Sequence, residues 1–243
     1  MPKTSKILTR TFDDLNKYEL SIDEAGRGCL FGRVYIACVV LPKIPEQFDG
    51  KDIKDSKKFS SKKKLNEVAN YIKENAFAWH ITYLDQIEVD KLNILKAVMN
   101  GMHECIRESV IKINNITNIQ HNIDDFTAII DGNYFTPFRK FDEISQRIIE
   151  MPSATVIHGD DVYMGIAAAS ILAKDARDTY ISQLCEEYPE LSTKYGLNTN
   201  MGYGTKTHLD GIREYGITHL HRKTYGICKN SSVNELIPNE TLF

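Results

Sequence analysis

Apolar and polar residues alternate over 18–23 (Tyr-Glu-Leu-Ser-Ile-Asp), a period of two that predicts a strand. Gly26-Arg27-Gly28 reads as a turn, with Gly32 close behind. Residues 33–41, rich in Val, Ile and Tyr, predict the returning strand of a hairpin. Residues 51–75 are charged and helical in pattern, with Leu65, Val68, Ala69 and Ile72 on one face. A strand over 77–84 and one or two helices over 85–113 follow. The Asn-rich stretch 114–125 reads as an exposed insertion loop. Segments 127–131 and 154–158 are short strands of the buried type, and 165–187 has the small-residue composition of a packed helix. Loop and short helix fill the remainder to about residue 229. Residues 1–17 lack periodicity and read as an N-terminal arm, 18–229 as the folded domain, and 230–243 as a tail. Strands alternating with helices after an early hairpin predict an α/β fold, a central mixed sheet flanked by helices.

The formal net charge of −3 and a pI of about 6.2 argue against a globally basic nucleic-acid binder. Positive charge is local instead, in 51–64, at Arg139 and Lys140, and in 219–223. Five widely spaced cysteines form no CxxC or Cys/His zinc pattern and are expected as buried, reduced thiols. No apolar segment follows the first charges, and the apolar runs 35–41 and 165–173 are too short to span a bilayer. A soluble, cytoplasmic protein is the expectation.

Candidate chemistry lies at the strand ends. Three predicted strands end on Asp23-Glu24, on Asp131 and beside Asp160. Strand ends at one edge of an α/β sheet converge on a common crevice. Carboxylates gathered there repel one another and call for cations, and hard oxygen donors select Mg²⁺ or Mn²⁺. Two such ions about 3.5–4 Å apart suit phosphodiester hydrolysis. A lone Asp at a strand end is more often a turn or a helix cap. On spacing alone, Asp161, Asp175 and Asp178 fill the site equally well.

A set of short motifs runs in order along the chain: Ser-Ile-Asp-Glu-Ala-Gly-Arg-Gly at 21–28, Asp-Ser-Lys-Lys-Phe-Ser at 55–60, Leu-Asn-Ile-Leu at 92–95, Ile-Asp-Gly-Asn at 130–133 and Gly159-Asp160. They continue as Ala-Ala-Ser-Ile-Leu-Ala-Lys at 168–174, Gly-Tyr-Gly-Thr at 202–205, His208, and His-Arg-Lys-Thr-Tyr-Gly at 221–226. This ordered set resembles that of ribonuclease HII, the type 2 ribonucleases H, and the resemblance spans residues 18 to about 228. It implies a ribonuclease H-like fold with a helical C-terminal region. It implies Mg²⁺- or Mn²⁺-dependent endonucleolysis of the RNA strand of RNA–DNA hybrids, and 5′ to single ribonucleotides in duplex DNA, leaving 3′-hydroxyl and 5′-phosphate ends. It assigns Asp23, Glu24, Asp131 and Asp160 to the metal site.

The resemblance also implies roles in substrate binding. Gly26, Arg27 and Gly28 would read the ribose 2′-hydroxyl through their backbone, and Tyr203 would pack on the following sugar. Lys57 and Lys58 would contact phosphates. Ser170 and Lys174, one helical turn apart, would share a face toward the substrate or else only support the fold, and Arg222 is likewise read as structural. Four positions depart from the pattern: His158 and Met201 stand where Lys is common, Cys29 where Pro is, and Tyr225 where Phe is. Loss of two lysines implies a shallow salt dependence of binding. Two other classes compete: another metal-dependent nuclease on the same fold, and a non-catalytic nucleic-acid module. The glycine-rich turn and Gly-Tyr-Gly argue against the first, and the full carboxylate set against the second. Type 3 ribonuclease H carries an additional N-terminal domain, and the seventeen residues before the first strand are expected to leave no room for one. A stand-alone monomer serving replication and ribonucleotide repair is the expectation.

Overall fold

The structure is a computed structural model that describes residues 8–59, 61–143 and 145–237. Its elements in chain order are β1 (Tyr18–Ala25), β2 (Val34–Val40), α1 (Lys62–Asn75), β3 (Ala78–Leu84), α2 (Gln86–Leu92), α3 (Ile94–Thr117) and β4 (Phe126–Asp131). There follow β5 (Arg139–Asp142), β6 (Arg147–Glu150), β7 (Ser153–Val156), α4 (Met164–Glu187), α5 (Glu190–Tyr195), α6 (Leu197–Asn200) and α7 (Lys206–Tyr215). Five strands form one mixed sheet in the order β3-β2-β1-β4-β7, and β5 and β6 form a separate two-stranded ribbon. The α/β expectation therefore holds.

By their contacts the residues fall into two compact units. One comprises residues up to Glu24, Ile36–Thr82 and Met99–Asp175; the other comprises Ala25–Tyr35, Tyr83–Val98 and the chain from Ala176 onward. The first holds the sheet. β2 is buried along its whole length, which explains its unbroken apolar run. Helix α1 buries Leu65, Val68, Ala69 and Ile72, the face expected from spacing. It starts later than expected because the Ser61 side chain accepts from Lys64 N and caps it there. Helix α4 reaches β1 closely, since a Cβ on Gly165 would lie 2.2 Å from Ser21 Oγ. That approach accounts for the small residues at the start of α4.

Several boundaries depart from the sequence reading. The Asn-rich segment is a loop only in part. Helix α3 continues through Asn114 and Asn115, and the Asn114 side chain accepts from His121 N at 3.1 Å. His121 is buried and bonded to Tyr18, Thr117 and Asp125, so the segment folds back onto β1. The arm is docked from Thr9 onward: Thr9 N donates to Val162 O, and Arg10 donates to the carbonyls of Phe48, Pro42 and Ile44. Residues 1–7 lie outside the described residues. The expected tail also packs, since Ile217 N donates to Ser232 O and Ile237 is buried in the core of the second unit. Residues 238–243 lie outside the described residues. All five cysteines are buried and none is disulfide-bonded, as expected. Among the described residues no helix is long and apolar enough to cross a membrane.

Candidate active site

Parallel pairing brings the first carboxylates together. β1 and β4 run parallel with Ile22 opposite Ile130, so Asp23 and Asp131 are the next residues on adjacent strands. In-register residues of neighbouring strands sit about 4.8 Å apart on the same face. β4 pairs in parallel with β7, Asp131 opposite Val156. The strand expected to reach His158 stops at Val156. His158 is left-handed (φ 55°, ψ 42°) and turns the chain into the 3-10 turn Gly159–Asp161. Gly159 N donates to Asp131 Oδ1 at 2.7 Å, which ties the second carboxylate to the turn that carries Asp160.

The cluster is electrostatically strained. Burial, then the charges of Glu24 and Asp131, push the Asp23 carboxyl well above its usual range, against hydrogen bonds from Ser170 and Glu24 N. Burial also raises Asp131, with Asp160 adding to it while Gly159 N and Lys57 oppose. Lys57 Nζ lies 3.5 Å from Asp160 Oδ2. Burial pulls the Lys57 ammonium down, but Asp160, Asp55 and Asp23 outweigh it and hold it above its ordinary value. Among the described residues no three His, Cys, Asp or Glu side chains form a ready-made metal cage. The donor set nevertheless fits a hard divalent cation: all-oxygen, mutually repelling, and with Lys57 as the cation the structure places against Asp160.

The other expected residues divide. Ser170 is only 4 % exposed. An ionised carboxylate only accepts, so Ser170 donates to Asp23 and accepts from Ser56 Oγ at 3.0 Å. Ser170 thus holds Asp23 in place. Lys174 is half-buried. Lys58 is engaged by Asp161 and by Asp55, so it neutralises the turn beside Asp160. Asp175 is tied to Asn66 and Lys73.

The second unit contains the glycine turn and the Tyr203 loop. Gly26 has φ 91°, and a Cβ there would lie 2.1 Å from Arg177 Nε. Arg177, 2 % exposed, donates to Met201 O at 2.7 Å and Phe31 O at 3.2 Å. Arg222 is fully buried and donates to Arg27 O and Gly32 O, both at 3.0 Å, and Tyr225 Oη also donates to Arg27 O. These two arginines therefore fix both loops, a structural role expected of Arg222 alone. In the sequence, Arg177 was signalled only by falling four residues after Ala173 on the buried stripe of a helix. Tyr203 is 49 % exposed on an irregular loop, and its side chain is hydrogen-bonded to Cys29, the residue that replaces the common Pro.

Of the two missing lysines, one matters differently than expected. His158 is exposed beside Asp160, but the Met201 side chain is buried in the core with Phe31, Tyr195 and Ile212. Position 201 therefore packs and offers nothing to a phosphate. Met201→Lys is expected to destabilise the protein by about 2–4 kcal/mol in urea, as an ammonium replaces a core thioether. Unchanged stability with tighter substrate binding would show instead that the side chain can leave the core.

Comparison with known proteins bears on this geometry. The family model described as ribonuclease HII matches residues 20–228. The ribonuclease HII of Parabacteroides distasonis is 40 % identical over 212 residues, covering 87 % of this chain and 92 % of that one. The ribonuclease HII in a complex with PCNA from Archaeoglobus fulgidus superposes with a TM-score of 0.60 at 22 % identity, over 86 % of this chain and 96 % of that one. Bst-RNase HIII, solved in complex with Mn²⁺, gives a TM-score of 0.53 at 19 % identity over 88 % of this chain and 69 % of that one. At these identities the two solved structures establish the fold.

Proposed function

Since the chain belongs to the ribonuclease HII family, metal-dependent type 2 ribonucleases H that act on RNA–DNA hybrids, we propose that Asp23, Glu24, Asp131 and Asp160 form its hydrolytic centre. The products are 3′-hydroxyl and 5′-phosphate ends, and the preferred cut lies 5′ to a ribonucleotide, including a single one embedded in duplex DNA. The observation that carries this reading is the in-register placement of Asp23 and Asp131 on parallel strands, with Asp160 on the turn bonded to Asp131. The four carboxylates would hold two Mg²⁺ or Mn²⁺ ions, which would supply Lewis acidity to a phosphodiester hydrolysis.

The chain's own residues do the positioning. Ser56 and Ser170 orient Asp23, and Gly159 N orients Asp131. Lys57, 78 % exposed in its side chain, is available to a substrate phosphate once Asp160 is engaged elsewhere. Carboxylates and ions alone do not distinguish RNA from DNA, so discrimination requires groups that bond the 2′-hydroxyl. The backbone of Gly26, Arg27 and Gly28 supplies them, and Arg222 and Tyr225 pre-set the Arg27 carbonyl. A buried partner left unpaired costs about 1–3 kcal/mol, so one contact gives roughly tenfold to hundredfold selectivity and several act together. The Tyr203 ring packs on the sugar 3′ to the ribonucleotide and rejects a second 2′-hydroxyl by crowding.

The test compares two substrates, a duplex with one embedded ribonucleotide and a continuous RNA–DNA hybrid. Tyr203→Ala is expected to slow cleavage at the single ribonucleotide by at least about tenfold more than cleavage within the hybrid. Equal losses on both substrates would remove Tyr203 from junction reading and leave the carboxylate assignment untouched.

A further inference from the structure

Two motif histidines have no part in the reaction described so far. His208 and His221 are both fully buried, and their Nε2 atoms lie 3.1 Å apart. His221 Nδ1 lies 2.9 Å from Thr218 N, and His208 Nδ1 lies 3.0 Å from Tyr203 O. These contacts point to one placement of the ring protons. A backbone N–H can only donate, so His221 Nδ1 is bare and the His221 proton is on Nε2. That proton points at His208 Nε2, which must accept it. His208 then carries its own proton on Nδ1, where a carbonyl, which can only accept, is waiting. A single chain of donors runs from Thr218 through both rings to Tyr203.

The surroundings favour this arrangement: Thr218 Oγ1 also lies 3.0 Å from His221 Nδ1 and accepts from Leu220 N, so its own proton can reach Nδ1 alongside the Thr218 N–H. A second proton on His221 would face the Thr218 N–H, and a second proton on His208 would face the His221 Nε2–H. The Tyr195 and Phe31 rings close the sides, with centroids 5.2 and 5.0 Å from that of His221. Burial keeps His208 below its ordinary range, and burial together with His208 keeps His221 well below it. Tyr203 O accepts a second bond from Thr205 N at 2.8 Å, so both of its lone pairs are used. The tyrosine is thereby held at its carbonyl by His208 and at its side chain by Cys29.

We infer that His208 and His221 are positioning residues for Tyr203: a tautomer-locked pair that fixes the Tyr203 carbonyl and so aims its ring at the sugar beside the ribonucleotide. This rests on the junction-reading role given to Tyr203 above. The pair itself is testable without that role.

Long-range ¹H–¹⁵N correlation spectra of the full chain, with ¹⁵N-labelled histidine, report protonation at each ring nitrogen. The expected pattern is His208 protonated on Nδ1 alone and His221 on Nε2 alone. The opposite tautomer on either ring, or an imidazolium at neutral pH, would overturn the lock. Cleavage then tests the consequence. His208→Asn keeps an amide donor near the Nδ1 position, whereas His208→Leu removes it. His208→Leu is expected to lower the ratio of single-ribonucleotide to hybrid cleavage by about tenfold, the effect of one lost buried hydrogen bond. His208→Asn should restore most of that ratio, and adding Tyr203→Ala to His208→Leu should lower it little further. A ratio unchanged in His208→Leu, with Tyr203→Ala alone still lowering it, would overturn the positioning role. A ratio unchanged in Tyr203→Ala alone, with the tautomers as stated, would instead overturn the junction reading.

Discussion

Asp23→Asn is expected to abolish cleavage while making the metal-free protein more resistant to heat. The two effects share one cause. Asp23 is buried beside Glu24 and Asp131, and its carboxyl is held well above its usual range. The folded state thus binds the Asp23 proton more tightly than the unfolded state does. Asp23 therefore contributes stability at low pH and loses it as pH rises through the folded-state value. Near neutral pH an amide, which carries no charge to repel its neighbours, relieves the cluster. Each kcal/mol of relief raises Tm by about 2–4 °C in a chain of this size. The same amide is a poor ligand for Mg²⁺ or Mn²⁺. Loss of several kcal/mol of transition-state stabilisation lowers the rate by about 10²–10³ or more. Added Mn²⁺ should then stabilise the wild type and hardly affect the variant. Differential scanning calorimetry with and without Mn²⁺, beside a hybrid-cleavage assay, measures both effects. A variant that is less stable and still active would place the metal site elsewhere.

Gly26→Ala is expected to be the most destabilising single-methyl change in the glycine turn. Residue 26 sits at φ 91°, which L residues adopt only under strain, and its Cβ would lie 2.1 Å from Arg177 Nε. Backbone strain of about 1–3 kcal/mol adds to overpacking of about 1–3 kcal/mol. Arg177 cannot give way without releasing the carbonyls of Met201 and Phe31. A total loss of about 2–6 kcal/mol in urea unfolding follows. Gly28 provides the contrast. It has no positive φ, and a Cβ there meets nothing within 4 Å. Gly28→Ala should therefore leave stability within about 1 kcal/mol and lower cleavage at a single ribonucleotide, because the methyl occupies space that the ribose needs. Full activity of Gly28→Ala would show that this glycine does not approach the sugar, and normal stability of Gly26→Ala would show that Arg177 can move aside.

How much of this was legible in the sequence depends on burial. The strands of the central sheet announced themselves by alternation or by unbroken apolar runs, and the buried face of α1 was read residue by residue. The ribbon of β5 and β6 was missed because most of its residues are exposed, so burial imposes no pattern on it. The Asn-rich segment misled because composition there signals a loop, whereas Asn114 and Thr117 bond their own helix end and the buried His121. Strand ends pointed to Asp23-Glu24, Asp131 and Asp160, but the third strand stops at Val156, and Asp160 lies beyond a left-handed His158 that no periodicity reveals. Only the ordered family motifs separated it from Asp161. Within each unit, the contacts that hold its candidate residues in place were silent in the sequence. Ser56 on Ser170, Arg177 on Met201 and His208 on His221 each join residues far apart along the chain or across a turn.

The most direct test of the carboxylate centre is the digestion of a duplex bearing one ribonucleotide by protein stripped with chelator, before and after Mg²⁺ or Mn²⁺ is restored, with both ends of the cut mapped. No cleavage without metal, and restored cleavage 5′ to the ribonucleotide giving a 3′-hydroxyl and a 5′-phosphate, is the expected result. Cleavage that survives chelation, or a cut 3′ to the ribonucleotide leaving a cyclic phosphate, would contradict it, because the 2′-hydroxyl and not an activated water would then be the nucleophile.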